Sequence, residues 1–181
     1  MRLLYVILAH KDPAHIARLA NKLTRDERDS VLIHVDRKAR LEPFETPVKD
    51  NPRVFFVQER VKVYWGGFSS VLATISAFKM ALRSLQFDRV ILLQGLDYPI
   101  ASPQEIRSYL EQHPRTEFIR AIPITRHCSF KQTHQYRLLW FMDLPRPIRR
   151  IVNLPNKPLL WKGRGPRFRK RTAPLSGQPV T

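Results

Sequence analysis

Residues 2–36 read RLLYVILAHKDPAHIARLANKLTRDERDSVLIHVD: an apolar run, an amphipathic stretch and a second apolar run in succession. The first run, 2–9, has the composition and length of a buried strand. Asp12-Pro13 then suits a helix start, because an aspartate side chain accepts an orphan backbone N–H and proline is tolerated in the first turn. Ile16, Leu19, Ala20 and Leu23 recur at helical spacing. The second run, 31–35 (VLIHV), ends in the polar Asp36-Arg37-Lys38. Strand, helix and strand in about 35 residues make a β-α-β unit, whose two strands are parallel.

The same alternation continues. A third strand is predicted over 54–57 (VFFV), and Trp65-Gly66-Gly67-Phe68 reads as a loop whose glycines permit tight turns. A helix follows, with Ser69 or Ser70 as its expected cap and Val71, Ile75, Phe78, Leu82 and Leu85 spaced to share one face. Residues 89–94 (RVILLQ) form another apolar strand, ending in Gly95-Leu96-Asp97-Tyr98-Pro99-Ile100. Ser102-Pro103-Gln104-Glu105 supplies a capping box with proline at the first helical position. Continuous apolar strands alternating with amphipathic helices predict an α/β, Rossmann-type domain with a mostly parallel sheet and helices on both faces.

With 181 residues, 43% of them hydrophobic, the chain can build one domain with a substantial core. Its formal charge of +17 is unevenly spread, because 144–181 contain ten Lys or Arg and no Asp or Glu. The expected organisation is a folded α/β domain over 1–143 and a basic, proline-containing arm over 144–181. A single cysteine, Cys128, precludes an internal disulfide, and the apolar run at 3–9 is too short to cross a bilayer and lacks a secretory cleavage pattern. Cytoplasmic residence is therefore expected. Peripheral attachment to the inner, anionic face of a membrane is a further expectation if Trp140, Phe141 and Leu144 adjoin Arg146, Arg149 and Arg150. Pro145 and Pro147 oppose a continuous amphipathic helix there.

Three strand ends carry the unusual chemistry: Ala9-His10-Lys11-Asp12, His34-Val35-Asp36-Arg37-Lys38 and Gly95-Leu96-Asp97-Tyr98-Pro99. In a doubly wound sheet these ends converge on the edge where a nucleotide sits. Each residue also has a structural reading: Asp12 as a helix cap, His10 as a loop residue bonded to backbone, Asp36 as a turn-former, Asp97 as a cap or Asx-turn residue, Trp65 as a buried anchor. The sequence contains neither GxGxxG nor GxxxxGK[ST], and no His/Cys set with zinc spacing. His127 and Cys128 are adjacent in sequence, which rarely lets two side chains face each other as base and nucleophile.

Taken together, YVILAHKDP, IHVDRKA, VYWGGFSSVLATISAFKMAL and VILLQGLDYPI resemble, in order and spacing, the N-terminal blocks of core-2/I-branching β-1,6-N-acetylglucosaminyltransferases and peptide O-xylosyltransferases. The resemblance covers 3–110. It implies a GT-A-like Rossmann architecture and an inverting, metal-independent transfer of N-acetylglucosamine or xylose from a UDP-sugar to a glycan or protein hydroxyl. It further implies that Ile7, Leu8 and Ala9 border the uracil and ribose, with His10 and Asp97 at the same edge. Asp36, Arg37 and Lys38 contact the nucleoside in this reading, and Trp65 stands beside the donor. No cofactor and no metal are expected, and the sequence has no Asp-x-Asp pair to hold a divalent cation against a diphosphate. Arg and Lys of the C-terminal part then neutralise the leaving group by charge-assisted hydrogen bonds.

One element of the family pattern is missing. The family's general base is a Glu near a P-D-E-type motif, and the sequence contains none; its last glutamate is Glu117. The catalytic base is thus unassigned, and the expectation is a donor-binding fragment, inactive alone. The competing expectation is a nucleic-acid or anionic-surface binder driven by 164–171 (RGPRFRKR), where Phe168 interleaves with basic residues. No nucleic-acid fold motif accompanies that stretch, so no nucleic-acid partner is expected.

Overall fold

The computed structural model describes residues 1–119 and 140–153. The chain divides into two compact units, residues 1–118 with 142–144, and residues 119–141 with 145–181. In the first unit the order is β1 (Leu3–Ala9), α1 (Pro13–Leu23), β2 (Ser30–Val35), α2 (Glu42–Glu45) running into a 3-10 turn (Thr46–Val48), β3 (Val54–Phe56), α3 (Ser69–Ser84), β4 (Arg89–Gln94) and α4 (Pro103–Gln112). The described part of the second unit contains α5 (Arg146–Val152), a two-turn helix with Pro147 in its first turn.

The four strands are parallel in the order β3-β2-β1-β4. β1 is therefore central, which is why its sequence is apolar at every position. Leu3, Tyr5, Ile7 and Ala9 face the core built by α1, while Leu4 and Val6 face the opposite core, where α3 contributes Ala77 and Ala81. Helices on both faces follow from right-handed crossovers that run first toward β3 and then back past β1 to β4. α1 buries Ile16, Leu19, Ala20 and Leu23, as their spacing requires.

α3 departs from expectation. Its buried side chains are Ser69, Ala73, Ala77 and Ala81, four residues apart, whereas Val71, Ile75 and Leu82 are exposed, Leu82 at 76%. Phe78 and Leu85 do pack against the core from its margin. A row of alanines lets the helix backbone approach the sheet closely, and larger side chains on that row would hold it away. Ala77→Leu is accordingly expected to cost about 1–3 kcal/mol by overpacking, and Leu82→Ala less than about 0.5 kcal/mol, as read from urea denaturation midpoints.

At the amino ends of the strands, α4 closes the sheet with a buried ion cluster. Arg107 Nη2 pairs with Asp29 at 2.8 Å and with Asp26 at 2.9 Å, and Arg107 Nη1 donates to the Met1 carbonyl. Asp29 also accepts the Leu3 N–H at 3.0 Å, tying the cluster to β1. The neighbouring Tyr5 hydroxyl is buried without a hydrogen-bond partner, and burial followed by the nearby Asp29 charge pushes its pKa up. α4 itself starts with the expected box: Ser102 Oγ accepts the Glu105 N–H, and the Glu105 carboxylate accepts the Ser102 N–H.

Candidate functional site

The carboxyl ends of β1, β2 and β4 meet at one edge. The Asp36 N–H donates to the Ala9 carbonyl at 2.8 Å, and the Gly95 N–H donates to the Leu8 carbonyl at 2.9 Å. Gly95 suits this close approach, since a Cβ there would lie 3.1–3.2 Å from Leu8 O, Ala9 Cα and Ile16 Cδ1, tighter than most Cβ contacts. Successive connections leave β1 in one direction toward β2 and reach β4 on its other side, so the topological switch point lies between β1 and β4, where open α/β sheets form their ligand crevice. Asp12, in the loop after β1, has φ 54° and ψ 66°, and its carboxylate accepts the His15 N–H at 3.0 Å. It is the sole non-glycine residue with positive φ among those described, and aspartate tolerates this region better than most.

Asp36 is 94% buried and fully engaged. Its Oδ1 accepts N–H bonds from Lys38 at 2.9 Å and Val63 at 3.3 Å, and its Oδ2 pairs with Lys38 Nζ at 3.3 Å. Lys38 Nζ also donates to the Val63 carbonyl and sits 5.0 Å over the Tyr64 ring. The exposed Arg37 donates its backbone N–H to Val61 O at 3.0 Å. The turn after β2 thus grips the extended segment 61–64 that leads to Trp65. His34, fully buried, contributes from below: its Nε2 accepts the Val61 N–H at 2.9 Å.

Trp65 is 86% exposed and so is no core anchor. Its loop is nevertheless fixed on both sides. Gly66 has φ 76°, and Tyr64 N–H donates to Ser69 Oγ at 2.8 Å. Neither serine caps α3. Asp143, at the far end of the unit's sequence, accepts N–H bonds from Phe68 at 2.8 Å and Ser69 at 3.0 Å. Burial opposes ionisation of Asp143, but these hydrogen bonds outweigh it and hold its carboxyl below the usual carboxylate range. Gly67 leaves room for that carboxylate, with which any Cβ would overlap.

Beyond β4, Asp97 acts as a turn residue: its Oδ2 accepts the Gln94 N–H at 2.8 Å and its own N–H donates to Gln94 O at 3.0 Å. The Asp97 carbonyl lies 3.2 Å from His15 Nε2, the His15 and Tyr98 rings are 5.8 Å apart, and Lys22 Nζ lies 4.8 Å over the Tyr98 ring. α1 therefore braces the loop after β4.

Among the residues expected at the site, Ala9, Asp36, Arg37, Lys38 and Trp65 are joined through this network, and Asp97 is joined to Leu8 through Gly95. His10 is exposed directly after β1. Ile7 is enclosed in the α1-side core, so its side chain faces away from the edge. Sequence reading missed His15 and Tyr98 as the brace, although His15 lies three positions after the capping Asp12, and it missed Asp143, whose partners lie 74 and 75 positions away. Among the described residues no group of three His, Cys, Asp or Glu side chains is gathered as a metal would require, and no helix is long and apolar enough to cross a membrane. Cys128 and the 164–171 cluster lie outside the described residues, as does most of the basic arm.

The family model described as Core-2/I-Branching enzyme matches residues 3–143, an interval containing all four strands and ending at Asp143. No curated protein matches the chain.

Proposed function

This chain belongs to the Core-2/I-branching enzyme family, a family of glycosyltransferases, and on that premise we propose that its strand-end edge binds the uridine of a UDP-sugar against Trp65. The observation carrying this reading is an indole 86% exposed on a loop held by backbone bonds at both flanks, beside the turn of Asp36. Large exposed aromatics on rigid supports suit stacking with a base, and backbone groups at strand ends suit its polar edge. In this reading Ala9, His10, Arg37 and Lys38 line the nucleoside's position, with Asp97 contributing from the loop after β4.

The reaction in this proposal is inverting. An acceptor hydroxyl oxygen attacks the anomeric carbon of N-acetylglucosamine or xylose, the bond to the UDP oxygen breaks, and a general base takes the hydroxyl proton. The charge on departing UDP is met by Arg and Lys side chains in place of a divalent cation. The acceptor is a glycan or protein hydroxyl.

Calorimetric titration with UDP, using CMP and GMP as controls, tests the reading. UDP-selective binding that is unchanged by EDTA is expected. Trp65→Ala should weaken it by about 1–3 kcal/mol, roughly 5- to 150-fold, the scale of one base–aromatic stack. Equal binding of all three nucleotides, or an unaffected Trp65→Ala protein, would remove the uridine site.

A further inference from the structure

We propose that His34, as a neutral imidazole, is the positioning residue that holds the Trp65-bearing segment in its binding geometry, and that protonating this ring releases the segment. The inference rests on the reading of Trp65 as the uridine platform and adds a group that never touches the ligand.

The β2–β3 ladder runs to Ile33↔Phe56, and its last bond is Val57 N–H to Ile33 O at 2.9 Å. Past that point the two strands part, and no carbonyl of β2 reaches Val61. The His34 ring fills the gap and supplies the acceptor, Nε2, for the Val61 N–H. Two residues on, Asp36 repeats the device at Val63. Ser76 Oγ to Glu59 O, Arg60 Nη1 to Ala39 O and Arg37 N–H to Val61 O also hold the segment between β3 and Trp65, but its Val61 and Val63 N–H groups are taken by two side chains, the His34 imidazole at the end of β2 and the Asp36 carboxylate just after it.

An imidazole can accept a hydrogen bond at Nε2 only when neutral with its hydrogen on Nδ1; the imidazolium carries N–H on both nitrogens and would set one against the Val61 N–H. Burial is the main influence on the ring and favours the neutral form. A hydrogen bond to its own backbone and, from just past β2, the Asp36 charge favour the charged form, while Arg60 of the 57–64 segment opposes it. The net direction is a pKa below the ordinary 6.5. A folded-state value lower than the unfolded one means that the bond's contribution is complete above 6.5 and declines as pH falls from there toward the folded value. Release of the segment should grow by up to about tenfold per pH unit in that window.

The test follows wild-type protein and His34→Gln between about pH 8 and pH 5, the window in which histidine switches. Two readouts are taken: UDP affinity by calorimetry, and NMR of the histidine ring nitrogens with the Val61 amide and Trp65 indole signals. The glutamine amide oxygen can take the Val61 N–H at any pH and also carries the correction for the ligand's own phosphate titration. Expected are an unprotonated Nε2 at neutral pH, Val61 and Trp65 signals that move with the His34 titration, and a wild-type UDP affinity that falls on the order of tenfold more than that of His34→Gln. A charged ring at neutral pH, or stationary Val61 and Trp65 signals while the ring titrates, would overturn the proposal whether or not the variant folds. Identical pH profiles for wild type and His34→Gln would do the same. Absence of UDP binding at any pH would sink the uridine reading alone, with the ring-nitrogen and amide signals still deciding the role of His34.

Discussion

Arg107→Ala is expected to lower stability by about 3–5 kcal/mol, the largest effect of any single polar substitution in this domain. The guanidinium is enclosed with Asp29, whose exposure is 0%, and with the largely covered Asp26. Removing it leaves Asp29 as a buried carboxylate whose remaining described bond is the Leu3 N–H. Asp26 is buffered by Arg28, which makes two side-chain bonds to it and is the first cause of its depressed pKa, with Arg107 a lesser one. The loss should therefore belong mainly to the Arg107–Asp29 pair. A double-mutant cycle makes the point measurable: in an Asp29→Asn background, where the Leu3 N–H still finds an oxygen, Arg107→Ala should cost markedly less than in wild type. Equal costs in both backgrounds would mean that packing of the arginine stem, and not charge, is what the substitution removes.

Asp36→Ala ranks next, at about 2–4 kcal/mol, because two backbone donors, Lys38 N–H and Val63 N–H, lose their acceptor where little water reaches. Asp36→Asn should lose about 1 kcal/mol or less, since one amide oxygen can serve both donors at the Oδ1 position and the lost partner is the half-exposed Lys38. Thermal denaturation of both variants gives the stability difference, and UDP titration separates tether from ligand contact. If Asp36 acts only through the segment it holds, the asparagine variant keeps its nucleotide affinity. If the carboxylate itself meets the nucleoside, affinity falls in the asparagine variant while stability stays.

The α1 and α4 helices were legible in the sequence because their signals are local. Asp12-Pro13 and Ser102-Pro103-Gln104-Glu105 act within a turn, and the observed bonds are those the spacing implies. Parallel pairing of β1 with β2 was legible for the same reason. α3 was not, because hydrophobicity ranks Val71, Ile75 and Leu82 above alanine, whereas close approach of a helix to a sheet selects the smallest side chains. β4 reads as apolar on both faces, yet its Val90 and Leu92 are partly open while Ile91 and Leu93 pack against the core. At the site, convergence of the strand ends was legible, since it follows from parallel topology. The engagement of Asp36 was not: the same residue suits a turn, a tether or a ligand contact, and the choice depends on Val63 arriving opposite it. The Asp143 cap leaves no trace near Ser69, because its partners are brought together by the fold alone.

The central place of β1 also governs how the domain emerges during synthesis. β2 joins one edge of β1 soon after α1 is made, but the partners on its other edge lie 86 positions later, as in Leu3↔Arg89. At about 5–20 residues per second, the ribosome leaves that edge open for roughly 4–17 s. Through this interval β1 presents unpaired N–H and C=O groups on a strand with no charge between Leu3 and Ala9, the kind of template onto which other nascent strands add. Yield in a host should therefore rise at lower growth temperature and with chaperones that shield apolar strands, because both act during the interval before β4 arrives to close the edge.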